Sequence, residues 1–144
     1  MYRAKLKKRV FILLACGLAL SAAAAAGCWA LTFPGVDIRR VAFDTGEYES
    51  PARRVSGLLI TPDNPVSDPA PGVVFVHGFL MSKEVYFGPA RELAKRGVPV
   101  LAIDLRGHGS TGGRGDQNFT EVYDALAAVD YLASLPGVDP DRIA

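Results

Sequence analysis

Val73-Val74-Phe75-Val76-His77-Gly78-Phe79-Leu80 is the stretch on which the fold turns. Its first half is an unbroken β-branched and aromatic run with no polar alternation. That is the pattern of a strand covered on both faces, as in a parallel sheet. Gly78 then permits a sharp exit from the strand. Downstream, Pro89 suits a first helical position, because its missing N–H would have been unpaired there anyway. Ala90, Leu93 and Ala94 make one apolar face, and Gly97 ends the helix. Residues 98–103 read as a second buried strand, with Pro99 tolerated at its start. That strand runs into Asp104-Leu105-Arg106-Gly107-His108-Gly109-Ser110.

A glycine-rich exposed segment, 107–117, follows. Asn118 is expected to cap the longest helix, with Glu121 reaching back to close a capping box. Val122, Leu126, Val129, Leu132 and Ala133 supply its apolar stripe. Glu121, Asp124 and Asp130 are expected on its solvated side. Pro136-Gly137 stops the helix, 139–142 reads as a turn, and Ile143-Ala144 as the first step of another strand.

Upstream of residue 73, the segment 62–72 carries Pro62, Pro65, Pro69 and Pro71. It reads as a surface loop, unable to form a helix or a central strand. Residues 38–43 and 54–61 read as an antiparallel strand pair joined by a turn over 45–52. Val55, Gly57 and Leu59 share one face. An antiparallel pair followed by strand, helix, strand, helix, strand defines an α/β domain over 35–144 with a parallel βαβα core. No internal repeats occur.

The first 33 residues differ in kind. Arg3, Lys5, Lys7, Lys8 and Arg9 form a basic cluster over 1–9 with no acidic residue. Residues 10–33 then carry no charge. A helix of 24 residues at about 1.5 Å each reaches roughly 36 Å, enough to span a bilayer core. The basic flank predicts a cytoplasmic N-terminus and a domain on the periplasmic or extracellular side, with Trp29 and Phe33 at the interface. Two alternatives stay open: a signal peptide cleaved within 22–26, which would release a secreted domain, or a lipoprotein anchored at Cys28 within Ala25-Ala26-Gly27-Cys28. Cys16 and Cys28 are the chain's two cysteines, and both lie in this segment. The rest of the chain therefore has no disulfide framework and no cysteine-based metal site. It is also net acidic, which gives no reason to expect nucleic acid as a partner.

The two strand-end motifs lie where α/β sheets place their sites. Together they resemble the α/β-hydrolase superfamily, most closely its dienelactone-hydrolase-like and serine-aminopeptidase-like branches. Residues 119–144 resemble the segment that leads into that family's nucleophile strand. The resemblance covers 38–144 and implies the N-terminal part of an α/β-hydrolase fold. In that family the loop after His-Gly lends a backbone N–H to an oxyanion hole. The resemblance thus implies Phe79 as the donor, with Leu80 second. It implies that His77, Gly78, Gly107, His108 and Gly109 shape the loops. It also implies that Asp104 and Arg106 fix the turn beneath the site. The order of the triad in this fold is Ser, acid, His. His77, His108 and Asp104 all come too early to be base or acid.

No nucleophile is present. The fold needs G-x-S-x-G, and none of Ser21, Ser50, Ser56, Ser67, Ser82, Ser110 and Ser134 has glycine at both positions. The elbow is expected shortly after Ala144. Gly107-His108-Gly109-Ser110-Thr111-Gly112 spells G-x-G-x-x-G, but no helix starts at its third glycine and no acid follows at the required distance. No cofactor is implied, and no metal-ligand spacing occurs. The expectation is part of a membrane-anchored serine hydrolase acting on a small-molecule or peptide acyl substrate through an ester, thioester or peptide bond. A non-catalytic membrane-anchored binding domain, or a degenerate hydrolase, is the alternative. Residues 35–144 alone are expected to expose an apolar edge at 73–76 and to be poorly soluble.

Overall fold

The computed structural model describes residues 33–115 and 119–144. The unit from Gly35 to Ala144 is built on a five-stranded sheet. Its strands are β1 (Val36–Asp44), β2 (Arg54–Pro62), β3 (Ala70–Val76), β4 (Val100–Asp104) and β5 (Val138–Ile143). A 3₁₀ turn (Lys83–Tyr86) and helix α1 (Phe87–Lys95) link β3 to β4, and helix α2 (Glu121–Ala133) links β4 to β5. The spatial order is β1-β2-β4-β3-β5. β1 and β2 are antiparallel, with Val41 opposite Gly57. β2 is antiparallel to β4, and β3 is parallel to both β4 and β5. The carboxyl ends of β3, β4 and β5 therefore share one edge.

β4 is buried along its whole length. Leu101 and Ile103 join Val55, Leu59, Ala128, Leu132 and Val138 in one cluster beneath α2. Val100 and Ala102, of opposite parity, lie on the other face, toward the buried Ala90 and Ala94 of α1. Gly57 makes this packing possible: a Cβ there would meet Leu101 Cδ1 at 2.8 Å and Val41 Cγ2 at 3.1 Å. Gly57→Ala should therefore overpack the cluster and cost about 1–3 kcal/mol in urea denaturation. A cost near zero would mean that Leu101 swings aside freely.

Several expectations give way. β3 begins at Ala70, so Pro71 lies inside a central strand rather than in a loop. It is tolerated because the β3–β5 register is irregular between Ala70 and Gly72, and β5 demands no N–H at that point. Residues 73–75 are half-buried, not covered on both faces, and Val76 is 38% exposed. β5 flanks β3 from Ala70 to Val74, whose N–H donates to Ala144 O at 2.8 Å. Residues 139–142, read as a turn, belong to β5. Helix α1 starts at Phe87, ahead of Pro89, and Gly97 ends it with φ +92°.

Helix α2 also departs from its reading. It begins at Glu121 with Thr120 at the N-cap position, and Asn118 lies outside the described residues. Val122, Leu126 and Val129 face outward, while Asp124, Ala127, Ala128 and Leu132 are buried. The sheet selects the smaller stripe because the helix sits close. A Cβ on Gly72 would come 2.9 Å from Leu132 Cδ2. Among the described residues no helix is long and apolar enough to cross a membrane. Apart from Phe33, the segment 10–33, with Cys16 and Cys28, lies outside them.

Candidate active site

His77 directly follows β3, and the chain then runs out over 78–82 before turning into the 3₁₀ segment. Phe79 and Leu80 are 83% and 82% exposed. Leu80 has φ +59°, a left-handed conformation that costs a β-carbon-bearing residue on the order of 1–3 kcal/mol and persists only where its surroundings enforce it. Met81 N donates to Gly78 O at 3.3 Å. Among the described residues, the N–H groups of Phe79 and Leu80 have no acceptor.

Two anchors hold this loop to the end of β4. His77 is buried, and its Nε2 accepts the Leu105 N–H at 3.1 Å. Its Nδ1 lies 2.9 Å from Gly78 O, a carbonyl that can only accept, so the proton sits on Nδ1. The ring thus ties the β3 exit to the β4 exit, and both its nitrogens are engaged. His108 donates from Nδ1 to Arg106 O at 3.1 Å. Its ring meets His77 edge-on at 5.0 Å and Phe79 at 6.4 Å.

The second anchor is Asp104, which is fully buried at the carboxyl end of β4. Its carboxylate accepts the Lys83 N–H at 2.8 Å, the Ser110 N–H at 2.7 Å and the Lys83 ammonium. Burial opposes ionisation of this carboxyl. The hydrogen bonds from Lys83 and Ser110 and the Lys83 charge outweigh burial, and hold it below its usual value. Thr111 Oγ1 donates to Asp104 O at 2.6 Å and accepts the Ser56 N–H at 2.8 Å, fastening the same turn to β2. Gly109, at φ +47°, passes so close to the carboxylate that no side chain fits. Gly107, at φ +79°, likewise packs directly on the Gly115 backbone.

Arg106 forms the floor of the second loop. It is buried, and its Nη2 donates to Asp124 Oδ1 and to Glu49 Oε1, each at 2.6 Å. Nη1 donates to Thr120 Oγ1 at 2.8 Å, and the Arg106 N–H reaches Asp124 Oδ2 at 2.8 Å. The Asp124 hydrogen bond raises the guanidinium pKa against the opposing effect of burial. The bond from Arg106 in turn lowers Glu49, which also accepts from Thr45 Oγ1 at 2.7 Å. Asp124, expected on the solvated side of its helix, is a fully buried counter-ion. A buried arginine requires such partners.

The structure therefore brings His77, Gly78, Phe79, Leu80, Asp104, Arg106, Gly107, His108 and Gly109 together at one sheet edge. It adds Lys83, Ser110, Thr45, Glu49 and Asp124, which the sequence reading missed. Lys83 sits in Ser82-Lys83-Glu84, a string that looks solvated. For Asp124 a signal existed, because it heads the stripe Asp124, Ala128, Leu132 at four-residue spacing. Among the described residues no group of His, Cys, Asp and Glu could hold a metal ion. A groove of about 550 Å³ lies elsewhere, among Phe43, Tyr48, Ala127 and Tyr131, and shares no residue with the loop 78–82.

Comparison with known proteins bears on the fold. Residues 67–136 match the model of the serine aminopeptidase family, S33. A thiohydrolase of Aspergillus aculeatus is 35% identical over 77 residues, which cover 51% of this chain and 24% of that protein. A hypothetical protein of Pseudomonas aeruginosa superposes with a TM-score of 0.66 at 30% identity, covering 77% of this chain and 35% of that one. An acetyl xylan esterase of Paenibacillus sp. R4 superposes with a TM-score of 0.62 at 24% identity, covering 78% and 41% of the respective chains. The chain thus spans about a quarter of the curated relative's length and about a third of the Pseudomonas structure's.

Proposed function

We propose that this chain, an α/β-hydrolase by fold and by family match, supplies the oxyanion half of an acyl-transfer site in a serine hydrolase. One observation carries the reading: the adjacent unpaired N–H groups of Phe79 and Leu80 lie on a loop at the edge where β3, β4 and β5 all end. Attack on a carbonyl builds negative charge on its oxygen. Fixed N–H dipoles stabilise that charge without reorganising, at about 2.7–4 kcal/mol per donor. The Phe79 N–H is the donor this loop would lend, with the Leu80 N–H as the alternative, and the other donor would be the N–H of the residue after the nucleophile.

β5 runs parallel to β3, so a turn leaving its carboxyl end would rise beside the loop 78–82. A nucleophilic serine on such a strand-to-helix elbow would face these donors. Its acid and base would follow later in the protein. His77 does not serve as base, since its Nε2 already accepts the Leu105 N–H, and both histidines precede the serine in a fold whose triad runs Ser, acid, His. The substrate would be an ester, thioester or peptide acyl compound. The uncharged segment 10–33 would hold the domain at a membrane.

The test is labelling of the full-length protein with a fluorophosphonate probe after separating membrane from soluble fractions. One covalent adduct per chain, on a serine that follows residue 144 and within the membrane fraction, is expected. No adduct on folded protein would refute the hydrolase reading and favour the non-catalytic binding domain. An adduct in the soluble fraction would refute the anchor alone.

A further inference from the structure

The loop 78–82 is exposed, carries a strained Leu80 and must nevertheless hold its donor N–H in a fixed direction. From its two attachments we infer that Lys83 is a positioning residue, whose buried ion pair with Asp104 holds the donor loop in its working geometry. The inference rests on the oxyanion reading above and names the part that keeps that site in place.

At its amino end the loop is tied through His77 to the Leu105 N–H. At its carboxyl end the tie is Lys83, whose backbone N–H and ammonium both reach the Asp104 carboxylate. Both ties land on two consecutive residues, Asp104 and Leu105. Between them only five residues remain, and the Leu80 φ of +59° falls within that span. A loop of this length pinned at both ends has few conformations. A loop freed at one end has many, and a left-handed leucine would relax toward an ordinary φ.

Lys83 is 2% exposed, unusual for a lysine next to an exposed loop. Its ammonium has Asp104 as its close partner, with Glu84 Oε1 at 3.3 Å and Ser110 Oγ at 3.4 Å as weaker ones. Ser110 also donates its N–H to Asp104, so the same carboxylate joins the donor loop to the turn around Gly109. The side chain of Lys83 faces Asp104 and is not directed at an incoming substrate. It therefore acts through the loop and not on reacting atoms.

The test uses the full-length protein and three variants: Lys83→Met, Asp104→Asn and the surface control Lys95→Met. Active sites are counted by the stoichiometric release of p-nitrophenol from a p-nitrophenyl phosphonate. Turnover of a p-nitrophenyl ester is then expressed per titrated site. Displacing a catalytic group by about 1 Å costs on the order of 100-fold. Lys83→Met should accordingly lower kcat per site on the order of 30- to 100-fold with little change in KM. Asp104→Asn should change it in the same direction by about tenfold, and Lys95→Met not at all.

A role confined to stability would reduce the number of titratable sites while leaving kcat per site within about threefold of the parent. That result, in either Lys83→Met or Asp104→Asn, would overturn the inference. A parent protein that releases no p-nitrophenol would instead refute the hydrolase reading itself.

Discussion

Arg106→Leu lowers the stability of the domain by about 3–5 kcal/mol, the cost of removing one partner from a buried ion pair. The substitution leaves the fully buried Asp124 carboxylate with no cation, and Glu49 loses both of its short guanidinium contacts. Leucine is shorter and branched, so it does not fill the volume and cannot donate to Thr120. Because Arg106 joins the 45–53 turn, the β4 exit and the start of α2, three separate segments loosen together. Urea denaturation of the full-length protein and of the variant measures the effect. A loss below about 1 kcal/mol would mean that water already solvates the site.

The same variant has a pH signature. The hydrogen bond from Arg106 is the main reason that the Glu49 pKa is lowered. A carboxyl lowered in the folded state contributes stability that is present above its unfolded pKa and is lost as pH falls through the folded one. Removing Arg106 returns Glu49 toward its ordinary value. Stability of Arg106→Leu should then fall less steeply on acidification through the carboxylate range than stability of the parent. Asp104, lowered mainly through Lys83 against its burial, keeps its own acid dependence in both proteins.

Gly109→Ala is the second large loss. Gly109 combines φ +47° with a position directly against the Asp104 carboxylate. The left-handed conformation costs a residue with a Cβ about 1–2 kcal/mol, and overpacking adds about 1–3 kcal/mol. The collision is with a carboxylate held by Lys83 and Ser110, so it cannot move without breaking bonds that bury charge. A combined loss of about 2–5 kcal/mol is expected. Gly112, also at positive φ but with nothing near its absent Cβ, serves as the comparison. Gly112→Ala should cost the conformational part alone. Equal losses at the two positions would show that the Asp104 contact contributes nothing.

The legible parts of the fold were those whose cause is local. Val55, Gly57 and Leu59 alternate on a strand paired antiparallel to its neighbour, and that alternation is a statement about one chain segment and one face. The 98–103 run, apolar without a break, announced a strand covered on both sides. His77-Gly78 and Asp104 through Ser110 marked where two strands end, and glycines at 107 and 109 marked a turn that no side chain could follow. The Val122, Leu126 and Val129 stripe misled because hydrophobicity ranks residues by size. The sheet instead accepted the stripe with Ala127 and Ala128, which lets a helix approach closely. Residues 139–142, with Pro140 among three charged residues, read as a turn because nothing local reveals that β3 offers them a free edge.

Local chemistry along the chain therefore settled the cores of β1 to β4 and where the two loops leave the sheet. The partners of the buried charges were settled by the folded arrangement. Lys83 and Asp104 are 21 residues apart, and Arg106 and Glu49 are 57 apart. A charge buried in low dielectric must find an opposite charge within a few ångströms. Which one it finds depends on how the strands order themselves as β1-β2-β4-β3-β5, a long-range outcome that no window of sequence contains.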